Sequence, residues 1–117
     1  MKDKLNNIEL VISTIIDSSK KHAIASENGE YKIANKNFDI VKKAVVYLRE
    51  NNGINNLKQL LTYDDESVKL MAATYLLKHF EKESIDVIEN IAFQTISNQS
   101  FNAKMILQEW YKGNINL

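Results

Sequence analysis

Apolar residues recur at three- and four-residue steps along most of the chain, and no stretch alternates convincingly with period two. Steps of three and four keep side chains on one side of a helix, so the pattern predicts helices and no sheet. The first helix is predicted over residues 3–26, where Leu5, Ile8, Ile12 and Ile15 form a stripe with Val11 and Ile16 beside it. The second covers Glu30 to Glu50, with Tyr31, Ala34, Phe38, Val41, Val45 and Leu48 inward. A short third helix spans Ile54 to Tyr63 and turns Ile54, Leu57, Leu60 and Leu61 inward. The fourth runs from Glu66 to Phe80, with Val68, Met71, Ala72, Tyr75, Leu76 and His79 on one side. The fifth, Glu83 to Gln94, carries Ile85, Ile88, Ile91 and Ala92, and the sixth, Ser100 to Lys112, carries Phe101, Met105, Ile106 and Trp110.

The chain contains no proline and only three glycines, Gly29, Gly53 and Gly113. Two of them follow asparagine in "SENGE" and "ENNGINN", where Asn-Gly marks a turn or a left-handed helix end. Six helices with short connections predict an all-α fold of antiparallel pairs. The 117 residues suit one domain, read as an N-terminal helix pair over residues 1–52 and a second part over residues 54–114.

The second part looks repetitive. "DDESVKLMAATYLL" and "ESIDVIENIA" resemble the two helices of a HEAT-like repeat, and "SFNAKMILQEW" resembles the start of another. Asp65, Val68, Ala72, Ala73 and Leu76 carry the pattern D-x-x-V-K-x-x-A-A-x-x-L-L. Ile88 and Ile91 follow, with Phe101. Ala103, Leu107, Trp110 and Gly113 carry A-x-x-x-L-x-x-W-x-x-G. Residues 57–114 thereby resemble a group of small bacterial HEAT-like domains of unknown function; the first fifty residues match no pattern. The resemblance implies a short α-α superhelix, in which small residues let stacked helices approach closely. It also implies a protein-binding role, as the immunity partner that neutralises a bacterial toxin, and it brings no catalytic residues.

Fifteen basic residues balance fifteen acidic ones, which argues against a general nucleic-acid binder. Residues 1–50 hold nine Lys/Arg and seven Asp/Glu, and residues 51–117 hold six and eight, so the second half is mildly acidic. No cysteine is present, which removes disulfides, thiolate nucleophiles and Cys-ligated zinc. The N-terminus lacks a signal-like apolar run and no apolar run approaches a membrane span, so a cytoplasmic protein is expected.

Candidate chemistry is thin. Asp64, Asp65 and Glu66 precede the fourth helix, where acids cap free N–H groups and meet the positive end of the helix dipole. A cation site there would need more oxygen ligands at loop spacing, and the D-x-D-x-D-G pattern is missing. Glu83, Asp86 and Glu89 lie three apart on the fifth helix, either as a solvated face or as an acidic surface for a basic partner. His22 and His79 form no metal pair, and His79 reads as a charge at a helix end. No Gly-x-Ser-x-Gly turn or glycine-rich phosphate loop occurs. Trp110 is expected to close the core, its indole N–H meeting a carbonyl near the chain end. The wide apolar arc of Leu10, Val11, Ile12, Ile15 and Ile16 is expected to be buried on two sides.

These readings predict a non-enzymatic protein-binding module without cofactor or metal. Glu83, Asp86, Glu89, Asp64, Asp65 and Glu66 are its candidate partner-binding residues. The alternatives are a small-molecule or enzymatic site on the concave face, and a homodimeric scaffold built on the first helix.

Overall fold

The computed structural model describes residues 2–115, with side chains from residue 7 onward. In chain order the elements are α1 (Lys2–Glu27), α2 (Tyr31–Glu50), a 3-10 segment η1 (Ile54–Thr62), α3 (Glu66–Tyr75), α4 (Glu81–Gln94) and α5 (Asn98–Tyr111). The described residues form helices and turns, with no strand among them. Contacts divide the chain into two compact units, Met1–Leu57 and Lys58–Leu117, and η1 runs across the boundary.

The first unit is a helical hairpin. Ile8, Ile12, Ile15, Ser18, Ser19 and Ala25 of α1 are buried, as are Ala34, Asn37, Val41, Ala44, Val45 and Leu48 of α2. Leu5, expected in the α1 stripe, lies outside the described side chains. The α2 stripe differs from the expected one. Tyr31 and Phe38 are exposed, and Asn37 and Ala44 take the inner positions. Small side chains there let two helices approach closely. Asn37 tolerates burial because its Nδ2 donates to the Ile33 carbonyl at 3.0 Å.

Both ends of the hairpin close by the same device, in different register. At the end of α1, Glu30 N–H donates to Ala25 O at 2.8 Å and Gly29 N–H to Ser26 O at 3.3 Å. Gly29 takes the left-handed position, with φ 72°. At the end of α2, Gly53 N–H donates to Leu48 O at 2.6 Å and Asn52 N–H to Arg49 O at 3.4 Å. Here the left-handed residue is Asn52, φ 57°, and Gly53 follows it. Both are Schellman ends, and asparagine is the residue that best replaces glycine in that conformation.

The third helix is 3-10 rather than α. Its start is rich in asparagine, and Asn56 donates to the Gly53 carbonyl through both its backbone N–H and its Nδ2 at 3.0 Å. Such side-chain bonds compete with the α-helical ladder.

In the second unit α3, α4 and α5 pack on one another. Val68, Leu70, Ala72, Ala73, Leu76, Leu77, Ile88, Ile91, Ala92, Ala103 and Leu107 form its core, with Ser84 and Ser100. The fourth helix ends at Tyr75, five residues before the expected Phe80. Its exit tightens: Leu77 N–H donates to Thr74 O and His79 N–H to Leu76 O, each three residues back. The tightened turn lets the consecutive Leu76 and Leu77 both be fully buried. His79 is exposed beyond it, not inward. On α5, Phe101 and Met105 are exposed, and the smaller Ser100 and Ala103 face inward with Leu107.

Candidate functional site

The six acidic candidates occupy two places in the second unit, and no described bond joins them. At the first, Asp65 is the N-cap of α3. Its Oδ1 accepts from Ser67 N–H at 2.9 Å and Val68 N–H at 3.2 Å, and also from the Ser67 hydroxyl. Glu66 is half-buried and accepts from the Ser97 hydroxyl, ahead of α5, at 2.8 Å. The run of acids therefore starts α3 and ties it to the start of α5. Asp64 alone stays exposed there.

At the second place, α4 carries four acids with different duties. Glu81 Oε2 accepts from Trp110 Nε1 at 2.9 Å. The indole thus meets a carboxylate at the start of α4, not a carbonyl near the chain end. Glu83 pairs with Lys58 at 3.3 Å, and the Lys58 ammonium also sits 4.4 Å from the centre of the Phe80 ring. Asp86 and Glu89 are exposed and make no ion pair or hydrogen bond among the described residues. Nothing in local spacing separates Glu81 and Glu83 from Asp86 and Glu89. The partners of the first two lie 29 and 25 positions away.

Sequence reasoning missed the apolar side of this surface. Phe93 lies seven residues beyond Asp86 and four beyond Glu89, on the same face of α4. Phe93 is 63 % exposed and Ile96, just past the helix, is fully exposed. Lys104 of α5 holds its ammonium 5.8 Å from the centre of the Phe93 ring, which places Phe93 beside the outer face of α5. Phe101 and Met105, one helical turn apart, are exposed on α5. The signal for Phe93 was present: it falls off the stripe of Ile85, Ile88, Ile91 and Ala92.

The wide arc of α1 is only partly covered. Ile12 and Ile15 are buried, Val11 and Ile16 half-buried, and Leu10 exposed. Toward the other end of α1, His22 stacks edge-on against Phe38, ring centres 5.6 Å apart, and Lys42 lies 5.7 Å from the centre of the Phe38 ring. Burial holds the His22 pKa below its ordinary 6.5. No group of three or more His, Cys, Asp or Glu residues suited to a metal occurs among the described residues. No helix among them is long and apolar enough to cross a membrane.

No protein-family model matches the chain, and no curated protein matches it. The fold does recur among solved structures. The crystal structure of the protein RPA1889 from Rhodopseudomonas palustris superposes with a TM-score of 0.84, over 94 % of this chain and 93 % of that one, at 17 % sequence identity. At that identity the likeness is one of fold: the chain shares its all-helical architecture with a bacterial protein.

Proposed function

We propose that this chain is a non-enzymatic, HEAT-like binding module that docks a basic protein, with an immunity-type partner of a bacterial toxin as its role. One observation carries the reading. On the outer face of α4, two acids without partners, Asp86 and Glu89, lead into the exposed Phe93 and Ile96. Exposed acids alone are ordinary. Unpaired acids beside a large exposed aromatic are the makings of an interface, in which charge steers the partner and an apolar anchor holds it. The buried Ala72, Ala73 and Ala103 support the HEAT-like part of the reading, because stacked helices need small residues at their contacts.

Four of the six candidate acids move to a different role in this reading. Asp65, Glu66 and Glu83 hold the fold through Val68, Ser97 and Lys58, and Asp64 is a solvated neighbour of the cap. Asp86 and Glu89 are the binding acids.

The test uses the product of the gene adjacent to this one. Surface binding is measured at two salt concentrations for the wild type and for the double variant Asp86→Lys, Glu89→Lys. Wild-type association should slow as salt rises, since screening acts over about 8–10 Å, and the variant should associate more slowly while melting normally. Phe93→Ala should instead speed dissociation. Unchanged binding by all the folded variants would remove this face from the interface. Failure of the wild type to bind would remove the toxin-partner reading.

A further inference from the structure

Of fourteen asparagines, only Asn28 and Asn52 precede glycine. Asn-Gly is the dipeptide most prone to spontaneous loss of the side-chain amide, because glycine has no Cβ to block its backbone nitrogen. That nitrogen attacks the asparagine Cγ. A new N–C bond closes a five-membered imide, the bond from Cγ to the amide nitrogen breaks, and ammonia leaves with the backbone proton. Water then opens the imide at either carbonyl, giving aspartate or isoaspartate. The reaction needs the glycine N–H to be released and the peptide to rotate.

The fold places the two copies of the dipeptide one residue out of register in the same helix-end motif. At Asn28-Gly29 the glycine nitrogen makes the weaker bond of the motif, 3.3 Å to Ser26 O. Both residues are exposed, and nothing lies within 4 Å of the space a Gly29 side chain would take. At Asn52-Gly53 the glycine nitrogen makes the stronger bond, 2.6 Å to Leu48 O. Gly53 is buried, with Leu48 Cδ2 and Ile8 Cδ1 at 3.2 and 3.3 Å from that space. Rotation of this peptide would have to displace the packing between the start of α1 and the end of α2.

We propose that Asn28 is a site of spontaneous conversion to aspartate and isoaspartate in the folded chain, and that the fold protects Asn52. The modification has a structural consequence. Isoaspartate adds a methylene to the backbone before Gly29 and breaks the register of the 2.8 Å bond from Glu30 N–H to Ala25 O. It also adds a carboxylate between Glu27 and Glu30 at the carboxyl end of α1, where negative charge is unfavourable and the last turn holds no basic residue. Ageing of the chain therefore loosens the α1–α2 turn first.

The experiment incubates the full chain in warm, mildly alkaline buffer, folded and in denaturant, and follows both sites by peptide mass mapping with isoaspartate methylation as a second readout. In the folded chain Asn28 should convert roughly tenfold or more faster than Asn52, the factor that one protective opening of ~1.4 kcal/mol imposes. In denaturant the two rates should be nearly equal. Equal rates in the folded chain, faster conversion at Asn52, or an undiminished gap in denaturant would each overturn the proposal. So would an unconverted Asn28 in folded protein whose denatured control converts.

Discussion

The two units hold themselves together by different means. In the hairpin the side-chain hydrogen bonds of Thr14, Asn37 and Asn51 reach carbonyls four residues back, and the pair Lys21–Asp17 also spans four. These bonds support single helices and do not join α1 to α2. What joins them is apolar surface, with Ile15, Val41, Val45 and Leu48 almost wholly buried, and the edge-on contact of His22 with Phe38. In the second unit polar side chains cross between elements: Ser97 to Glu66, Trp110 to Glu81, Lys58 to Glu83. Short helices such as α3, ten residues long, offer little area each. Specific bonds then help fix how they meet, at a modest net gain per bond. The lesson concerns function as much as stability: in such a unit most acids have structural duties, and those without one stand out.

Core truncation in the hairpin should have the largest effect. Ile15→Ala should lower stability by about 2–5 kcal/mol, the range for deleting a buried aliphatic side chain. A urea melt showing a loss well below that range would mean the hairpin is not held by its apolar seam. Overpacking the second unit comes next. Ala73 is completely buried, and Ala73→Leu should cost about 1–3 kcal/mol. A silent substitution there would sink the HEAT-like reading of α3, which needs a small residue where helices stack.

Much of this contrast was legible in the sequence, and the rest was hidden for identifiable reasons. Val41, Val45, Leu48, Ile88 and Ile91 follow helical spacing and are buried. Asp65 was legible as a cap because capping is local. Asn37, Ser84 and Ser100 were not legible as inward residues, since a hydrophobic pattern counts them as polar and ignores their small size. Phe38 and Phe101 were assigned inward for the converse reason: spacing fixes the face of a helix but not the width of the contact. The bond from Trp110 to Glu81 spans 29 positions and leaves no trace in any local window. The free state of Asp86 and Glu89 was equally invisible, because it depends on where Lys58 and Trp110 settle.

Smaller effects are expected at the polar links. Trp110→Phe keeps an aromatic ring but a smaller one, and deletes the donor to Glu81, so it should cost at least the about 0.5–1.5 kcal/mol of the lost hydrogen bond. Combining it with Glu81→Ala should cost less than the two single losses together, which a double-mutant cycle in denaturant measures. The smallest effect belongs to the hairpin. The folded pKa of His22 lies below 6.5 because burial penalises its charged form. Its contribution is therefore complete above the unfolded pKa and is lost as pH falls from about 6.5 toward the lower folded value. Melting temperature should decline across that window, and His22→Gln should flatten the decline. An unchanged slope would place the pH sensitivity elsewhere.

The acids of the second unit divide into structural and free, and one denaturant titration checks that division. The double variant Glu66→Ala, Glu81→Ala removes the acceptors of Ser97 and Trp110; Asp86→Lys, Glu89→Lys reverses the unpaired charges. The unfolding free energy should fall for the first and stay within about 0.5 kcal/mol of wild type for the second, as for exposed substitutions away from specific contacts. A destabilised lysine variant beside an unaffected alanine variant would contradict the division and leave the outer face of α4 without a special claim to binding.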